Sequence, residues 1–170
     1  MLPYIFLFIL GIILGSFYNV VATRIPNGES IIKPGSHCTN CYHKLKWYEL
    51  IPLVSYIIQR GRCRKCYKKL SIWYFLSELF TGLSFAFSYY LYGFDLMTIK
   101  SCILVSIVMI TIISDVSYMV ILDSPIIIGT ILLMIVDYFI GGFNLVLVNA
   151  FHGLMMFLIV LVIKLLGESI

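Results

Sequence analysis

Residues 1–23 read MLPYIFLFILGIILGSFYNVVAT, and residue 24 is an arginine. The stretch has no charged side chain and is long enough to cross a hydrocarbon core of about 30 Å as a helix. No basic region precedes it, no small-x-small cleavage site closes it, and Arg24 follows it. It is therefore expected to remain as an anchor, not to be removed as a signal peptide. Ten of the twelve Lys and Arg lie within residues 24–69; only Lys100 and Lys164 fall outside. From residue 70 to 94 the sole charge is Glu78. Residues 96–114 are apolar apart from Lys100, whose long stem is expected to snorkel to the headgroups. Residues 124–140 are apolar apart from Asp137, and 145–163 are uncharged and lead into Lys164. This pattern predicts an all-α polytopic membrane protein with about five transmembrane helices. The first is residues 1–23, a polar insert occupies 24–71, and the remaining helices lie within 72–170.

The whole composition agrees. Of 170 residues, 61% are hydrophobic and 12% charged, and the mean hydropathy is +1.03. A soluble domain averages roughly half apolar and a quarter charged, so an ordinary soluble enzyme, a disordered tail and a secreted disulfide scaffold are excluded. Basic loops stay on the cytoplasmic side. The insert, the 115–124 loop and the C-terminus are thus expected in the cytoplasm, and the N-terminus outside the cytoplasmic membrane. Lys164 fits this orientation and Lys100 opposes it.

Within the insert stand Cys38-Thr39-Asn40-Cys41 and Cys63-Arg64-Lys65-Cys66, with 21 residues between the pairs. Two C-x-x-C turns supply the four thiolates of a tetrahedral, closed zinc site. The pairs also echo one another: residues 38–45 read CTNCYHKL and 63–70 read CRKCYKKL, and each is soon followed by Trp-Tyr. Disulfides do not suit a reducing compartment, and no βαβ context supports a thioredoxin-like site. Cys38, Cys41, Cys63 and Cys66 are therefore expected to hold a structural zinc, with His37 and His43 as substitute ligands of lower standing. A zinc would tie an insert too small to fold on its own core. Cys102 reads as a small buried apolar residue. The cations around the second knuckle read as facing anionic lipid and fixing topology, with no nucleic-acid partner.

Carboxylates at membrane helix ends are costly and usually functional. Asp115 closes one apolar run and Asp123 opens another. The uncharged stretches on either side are short, 14 residues over 101–114 and 13 over 124–136. That suggests a water-reached site slightly inside the membrane face; a plain cytoplasmic turn carrying two acids is the alternative. A water-splitting carboxylate pair shares one proton between two acids. On one continuous helix Asp115 and Asp123 would lie about 12 Å apart along the axis and about 80° apart around it. They would meet only if the chain turned between them. Glu78, in mid-helix, reads as a buried hydrogen-bonding acid in a supporting role, as Asp123 does. Glu168 lies two residues from the end of the chain.

These segments resemble the type IV prepilin peptidases, including the enzymes that process competence pseudopilins. Gly15-Ser16-Phe17-Tyr18-Asn19-Val20-Val21 with Arg24-Ile25-Pro26 is similar to the family's G-S-F-L-N-V-V…R-x-P. The four cysteines with Leu45-Lys46-Trp47, Pro52 and Gly61-Arg62-Cys63-Arg64 resemble its C-x-x-C…L-x-W-x-x-x-x-P…G-x-C-R-x-C. Trp73-Tyr74 through Glu78-Leu79-Phe80-Thr81-Gly82 resembles the helix that follows. Residues 115–123 are similar to its first aspartate motif, D-x-x-x-x-x-I-P-D, with Leu122 in place of proline. The resemblance implies a GxGD-type aspartic membrane protease in which Asp115 is one of two catalytic acids. It implies prepilin or pseudopilin substrates of pilus, secretion or DNA-uptake systems, cut at the cytoplasmic face of the inner membrane. It also implies N-methylation of the new N-terminus from S-adenosylmethionine. No G-x-G-D occurs in the 170 residues, so the expectation is a truncated product, a fragment, or a member lacking half its acid pair. A non-catalytic membrane zinc protein that binds prepilin or lipid is the alternative.

Overall fold

The computed structural model describes the backbone of residues 1–167 and the side chains of residues 1–159. Glu168 and the side chain of Lys164 lie outside the described residues. The chain is mostly helical. Helix α1 spans Leu2–Arg24, with Pro3 in its first turn, where a missing N–H costs nothing. A 3-10 turn at Trp47–Glu49 and the five-residue α2, Val54–Ile58, lie in the insert. Helix α3 is Ile72–Tyr92, capped by the Ser71 hydroxyl, which accepts from the Trp73 N–H. Helix α4 is Leu96–Tyr118, capped by Asp95 and ended by Met119 in the left-handed region at φ 54°. Helix α5 is Asp123–Gly167, broken at Gly141 and Gly142.

Helices α1 and α3 lie backbone to backbone. A Cβ on Gly11 would stand 2.7 Å from the Gly82 Cα, and one on Gly15 would stand 3.0 Å from the Glu78 Cα. Lipid tails are as apolar as leucine, so membrane helices gain by close packing through small residues, and Gly11-x-x-x-Gly15 is such a stripe. Helix α4 completes the core: Tyr18, Val21 and Ala22 of α1 pack with Ile110 and Ile113 of α4 and with Leu122. The Tyr18 hydroxyl donates to Ser106 Oγ at 2.6 Å, and Ser77 Oγ donates to the buried Asn19 Oδ1 at 3.0 Å. These two bonds join α1 to α4 and α1 to α3, while buried Thr81 donates to the Ser77 carbonyl within α3.

Among the described residues three helices are long and apolar enough to cross a membrane: α1, α4, and α5 over Asp123–Ile159. Helix α3 has the length, 21 residues, but its serines, tyrosines and Glu78 lower its hydropathy. The expected boundary at residues 140–145 coincides with the break in α5. Asn149 Nδ2 donates to Asp137 Oδ2 at 2.8 Å. Twelve residues along one straight helix would separate them by about 18 Å, so the two halves of α5 fold toward each other at the glycines.

The snorkelling expected of Lys100 is corrected here. Its Nζ lies 2.5 Å from Oδ1 of Asp137, which is 4% exposed, so the lysine turns to a partner on α5. A half-buried cation with a carboxylate in reach loses less by pairing than by stretching to water. Asp137→Leu alone is expected to destabilise the protein by about 1–3 kcal/mol, because it leaves the half-buried Lys100 ammonium and Asn149 without their carboxylate. Asp137→Leu with Lys100→Met is expected to return close to wild type. Unfolding in detergent micelles, followed by intrinsic fluorescence, checks both.

Candidate functional site

The two cysteine turns are copies in space as well as in sequence. Residues 38 and 63 each receive the same bonds, 25 positions apart. Cys38 N–H donates to the His43 carbonyl at 3.0 Å, and Cys63 N–H to the Lys68 carbonyl at 3.0 Å. Tyr42 and Tyr67 N–H donate back to the Cys38 and Cys63 carbonyls at 2.9 Å each, and both tyrosines take positive φ, 54° and 57°. Leu45 N–H reaches Ser36, and Leu70 N–H reaches Gly61. The chain doubles back in each, so its two Cys side chains converge.

Together the turns bring four sulfurs within 4.8 Å of one another. Cys38 and Cys66 Sγ are 3.8 Å apart, and Cys41 and Cys63 Sγ are 3.9 Å apart. A zinc bound at about 2.3 Å by four sulfurs requires tetrahedron edges of about 3.8 Å. The donor set and spacing fit that ion. The backbone N–H of Lys68 is the leading influence on the Cys66 thiol, which is held down at about 6, toward the thiolate that a metal binds. His37 and His43 do not enter the cluster: His37 Nδ1 lies 3.0 Å from the Gly35 carbonyl, and His43 Nε2 lies 3.5 Å from Glu49.

Two residues that the sequence reading passed over hold the insert in place. Glu49 is buried in the 3-10 turn. It accepts from the Lys46 N–H at 2.8 Å and lies near His43 of one turn and Arg64 of the other, so one carboxylate links both knuckles. Arg24, expected only to fix topology, is buried at the end of α1. Its guanidinium donates to the carbonyls of Ser30, Pro34 and Gly35. The available sequence signals were one of only two acids in an insert of ten cations, and an arginine at a membrane helix end.

Between the insert and the helices lies a cleft of about 400 Å³. Its walls come from α1 (Asn19, Thr23), α3 (Tyr74, Glu78), the first knuckle (Cys38) and Tyr118 of α4. Glu78 is buried in α3, and its Oε2 accepts from the Leu53 N–H at 2.7 Å, tying the insert to the membrane helix. The Tyr118 hydroxyl accepts from Asn27 Nδ2 at 2.9 Å, so the cleft reaches the last turn of α4.

Asp115 lies in that last turn, three residues before Tyr118, and is exposed. Its carbonyl accepts from the Met119 N–H, which closes the helix. Asp123, also exposed, is the first residue of α5, across a four-residue link. The chain does turn between them, so the separation computed for a single helix does not apply. Among the described residues neither carboxylate has a hydrogen-bonded side-chain partner or an ion pair.

Residues 9–92 match the bacterial peptidase A24 N-terminal domain. A prepilin leader peptidase/N-methyltransferase of Myxococcus xanthus is 45% identical over 103 residues, 61% of this chain and 31% of that protein. One of Bacillus subtilis is 38% identical over 115 residues, 68% of this chain and 46% of that protein. One of Klebsiella pneumoniae is 35% identical over 111 residues, 62% of this chain and 49% of that protein. The chain thus spans less than half the length of these relatives. No solved structure matches it. The paired cysteine turns, the α1 segment that packs on α3 and the helix bearing Glu78 all fall within the matched residues, and the chain belongs to the type IV prepilin peptidase family.

Proposed function

We propose that this chain is part of a membrane aspartic endopeptidase. It removes the leader of type IV prepilins or competence pseudopilins at the cytoplasmic face of the inner membrane. N-methylation of the new N-terminus from S-adenosylmethionine is its second activity. The observation that carries the reading is the cleft, which joins the four-cysteine insert to the helix end bearing Asp115. In this reading five spans place both on the cytoplasmic side, α3 and the two halves of α5 among them. Cys38, Cys41, Cys63 and Cys66 hold a zinc that is structural, since four protein ligands leave it no open position. Asp115 is one acid of a GxGD-type pair. Ionised, it takes a proton from the attacking water, while a protonated partner acid polarises the scissile carbonyl. No residue here matches the motif of that partner, which in this reading comes from further sequence of the same protein or from a second polypeptide. Asp123 and Glu78 support the site without filling that role.

One observation favours a second reading, a non-catalytic zinc protein that binds prepilin or lipid: among the described residues no carboxylate pairs with Asp115. A single experiment separates the two. The chain is expressed as given and extended by its downstream codons, each with a prepilin from the same genome, and leader removal is followed on a gel. Cleavage by the extended form alone is the expected result. Cleavage by neither overturns the peptidase reading.

A further inference from the structure

The charges lining the cleft do not match those around it. The 24–71 insert carries ten Lys and Arg against two acids, Glu29 and Glu49. Inside the cleft the balance inverts. The charged residues lining it are Arg24, His37, Glu29, Glu49 and Glu78. Arg24 is spent on three backbone carbonyls, and Glu49 is spent on Lys46, His43 and Arg64. His37 rests against the Gly35 carbonyl. That leaves Glu29 and Glu78 with no cation within 4 Å among the described residues. Glu78 is only 8% exposed, and the groups that meet its carboxylate are neutral, the Leu53 N–H at Oε2 and the Ser16 hydroxyl. A buried carboxylate without a cation is costly, and the cost is relieved by a bound cation or by taking up a proton.

We propose that Glu78, with Glu29 at the rim, forms a pocket for one basic side chain of the substrate's leader. The pocket thereby sets the register of the cleavage site against Asp115. This rests on the peptidase reading above. A leader that stays in the cytoplasm next to a membrane span is enriched in Lys and Arg by the same rule that orients this chain. The aromatic wall of Tyr74 and Tyr118 suits the apolar stem of such a side chain, and the carboxylate its head. The flanking cations of the insert repel a basic segment that is not seated, so only the seated register is favoured.

Binding tests this without cleavage. A labelled synthetic leader peptide with one lysine, and its norleucine counterpart, are titrated against the 170-residue chain in detergent micelles, wild type and E78Q. Glutamine keeps an oxygen to accept from Leu53, removes the charge and replaces the second oxygen by an NH2 group; equal thermal stability checks the fold. Wild type is expected to bind the lysine peptide about tenfold tighter than the norleucine peptide, and E78Q to bind both alike, at the weaker level. E29Q is expected to lose a smaller part of the preference. A lysine preference that survives in E78Q overturns the pocket and leaves the peptidase reading standing. Loss of S-adenosylmethionine binding in E78Q with peptide binding unchanged assigns the cleft to the methyl donor and also overturns it. Failure of wild type to bind either peptide also overturns the pocket, while the peptidase reading is decided separately by the cleavage experiment above.

Discussion

Cys63→Ser is expected to cost the protein its zinc and, with it, the fold of residues 36–70. The insert has almost no apolar core of its own. The buried hydrophobic side chains within residues 24–71 are Cys38 at 7% and Cys63 at 3% exposure, both in the sulfur cluster. Its large apolar residues point outward: Tyr42 and Trp47 are each 77% exposed and Tyr67 is 72% exposed. Structural zinc in small Cys-rich folds contributes about 10–16 kcal/mol near neutral pH. The remaining ties, Glu49 between the turns and the Arg24 and Glu78 contacts, are a handful of hydrogen bonds worth about 1–3 kcal/mol each. They cannot replace the ion. Metal analysis should find about one zinc per chain in wild type and none in Cys63→Ser. Limited proteolysis should then open the insert while the membrane helices keep their circular dichroism. A variant with all four cysteines changed to serine that still carries stoichiometric zinc refutes the ligand assignment.

The repeat made the metal site legible before any coordinates, because it is local. CTNCYHKL and CRKCYKKL each fold within eight residues, so composition and hydrogen bonding coincide at an offset of 25. The ends of α1 and α3 were legible for a similar reason: charge stops where hydrocarbon starts. What depended on pairing between distant segments was not. Lys100 read as snorkelling because nothing near it in sequence marks Asp137, 37 residues away, as its partner. Nothing in the apolar run of residues 1–23 marks Gly11 and Gly15 as the place where Thr81 and Gly82 stand against the helix. Arg24 carries the sign that topology demands, yet its buried position comes from three carbonyls that only the folded insert presents. The loop over 115–124 was expected, but not that Met119 ends α4 in the left-handed region, since such a methionine has no sequence signature comparable to glycine.

Asp115→Asn, made in the form that cleaves, is expected to lower leader removal by about a thousandfold or more while leaving zinc content and leader binding unchanged. Positioned acid–base groups contribute about 10²–10⁴-fold each, and an acid pair fails entirely when one member cannot ionise. Asparagine has nearly the same shape, and Asp115 is exposed with no side-chain partner among the described residues, so the fold loses nothing by the change. Asp115→Glu separates position from charge. It keeps the carboxylate but moves it by one methylene, and a misplacement of about 1 Å already costs about a hundredfold. Asp123→Asn sets the scale. It begins a different helix and lacks the motif of the second acid, so its loss should stay well below that of Asp115→Asn. If the two variants fall equally, the turn at Met119 brings the acids together as a pair, and the partner acid assigned to further sequence or a second polypeptide is Asp123 instead.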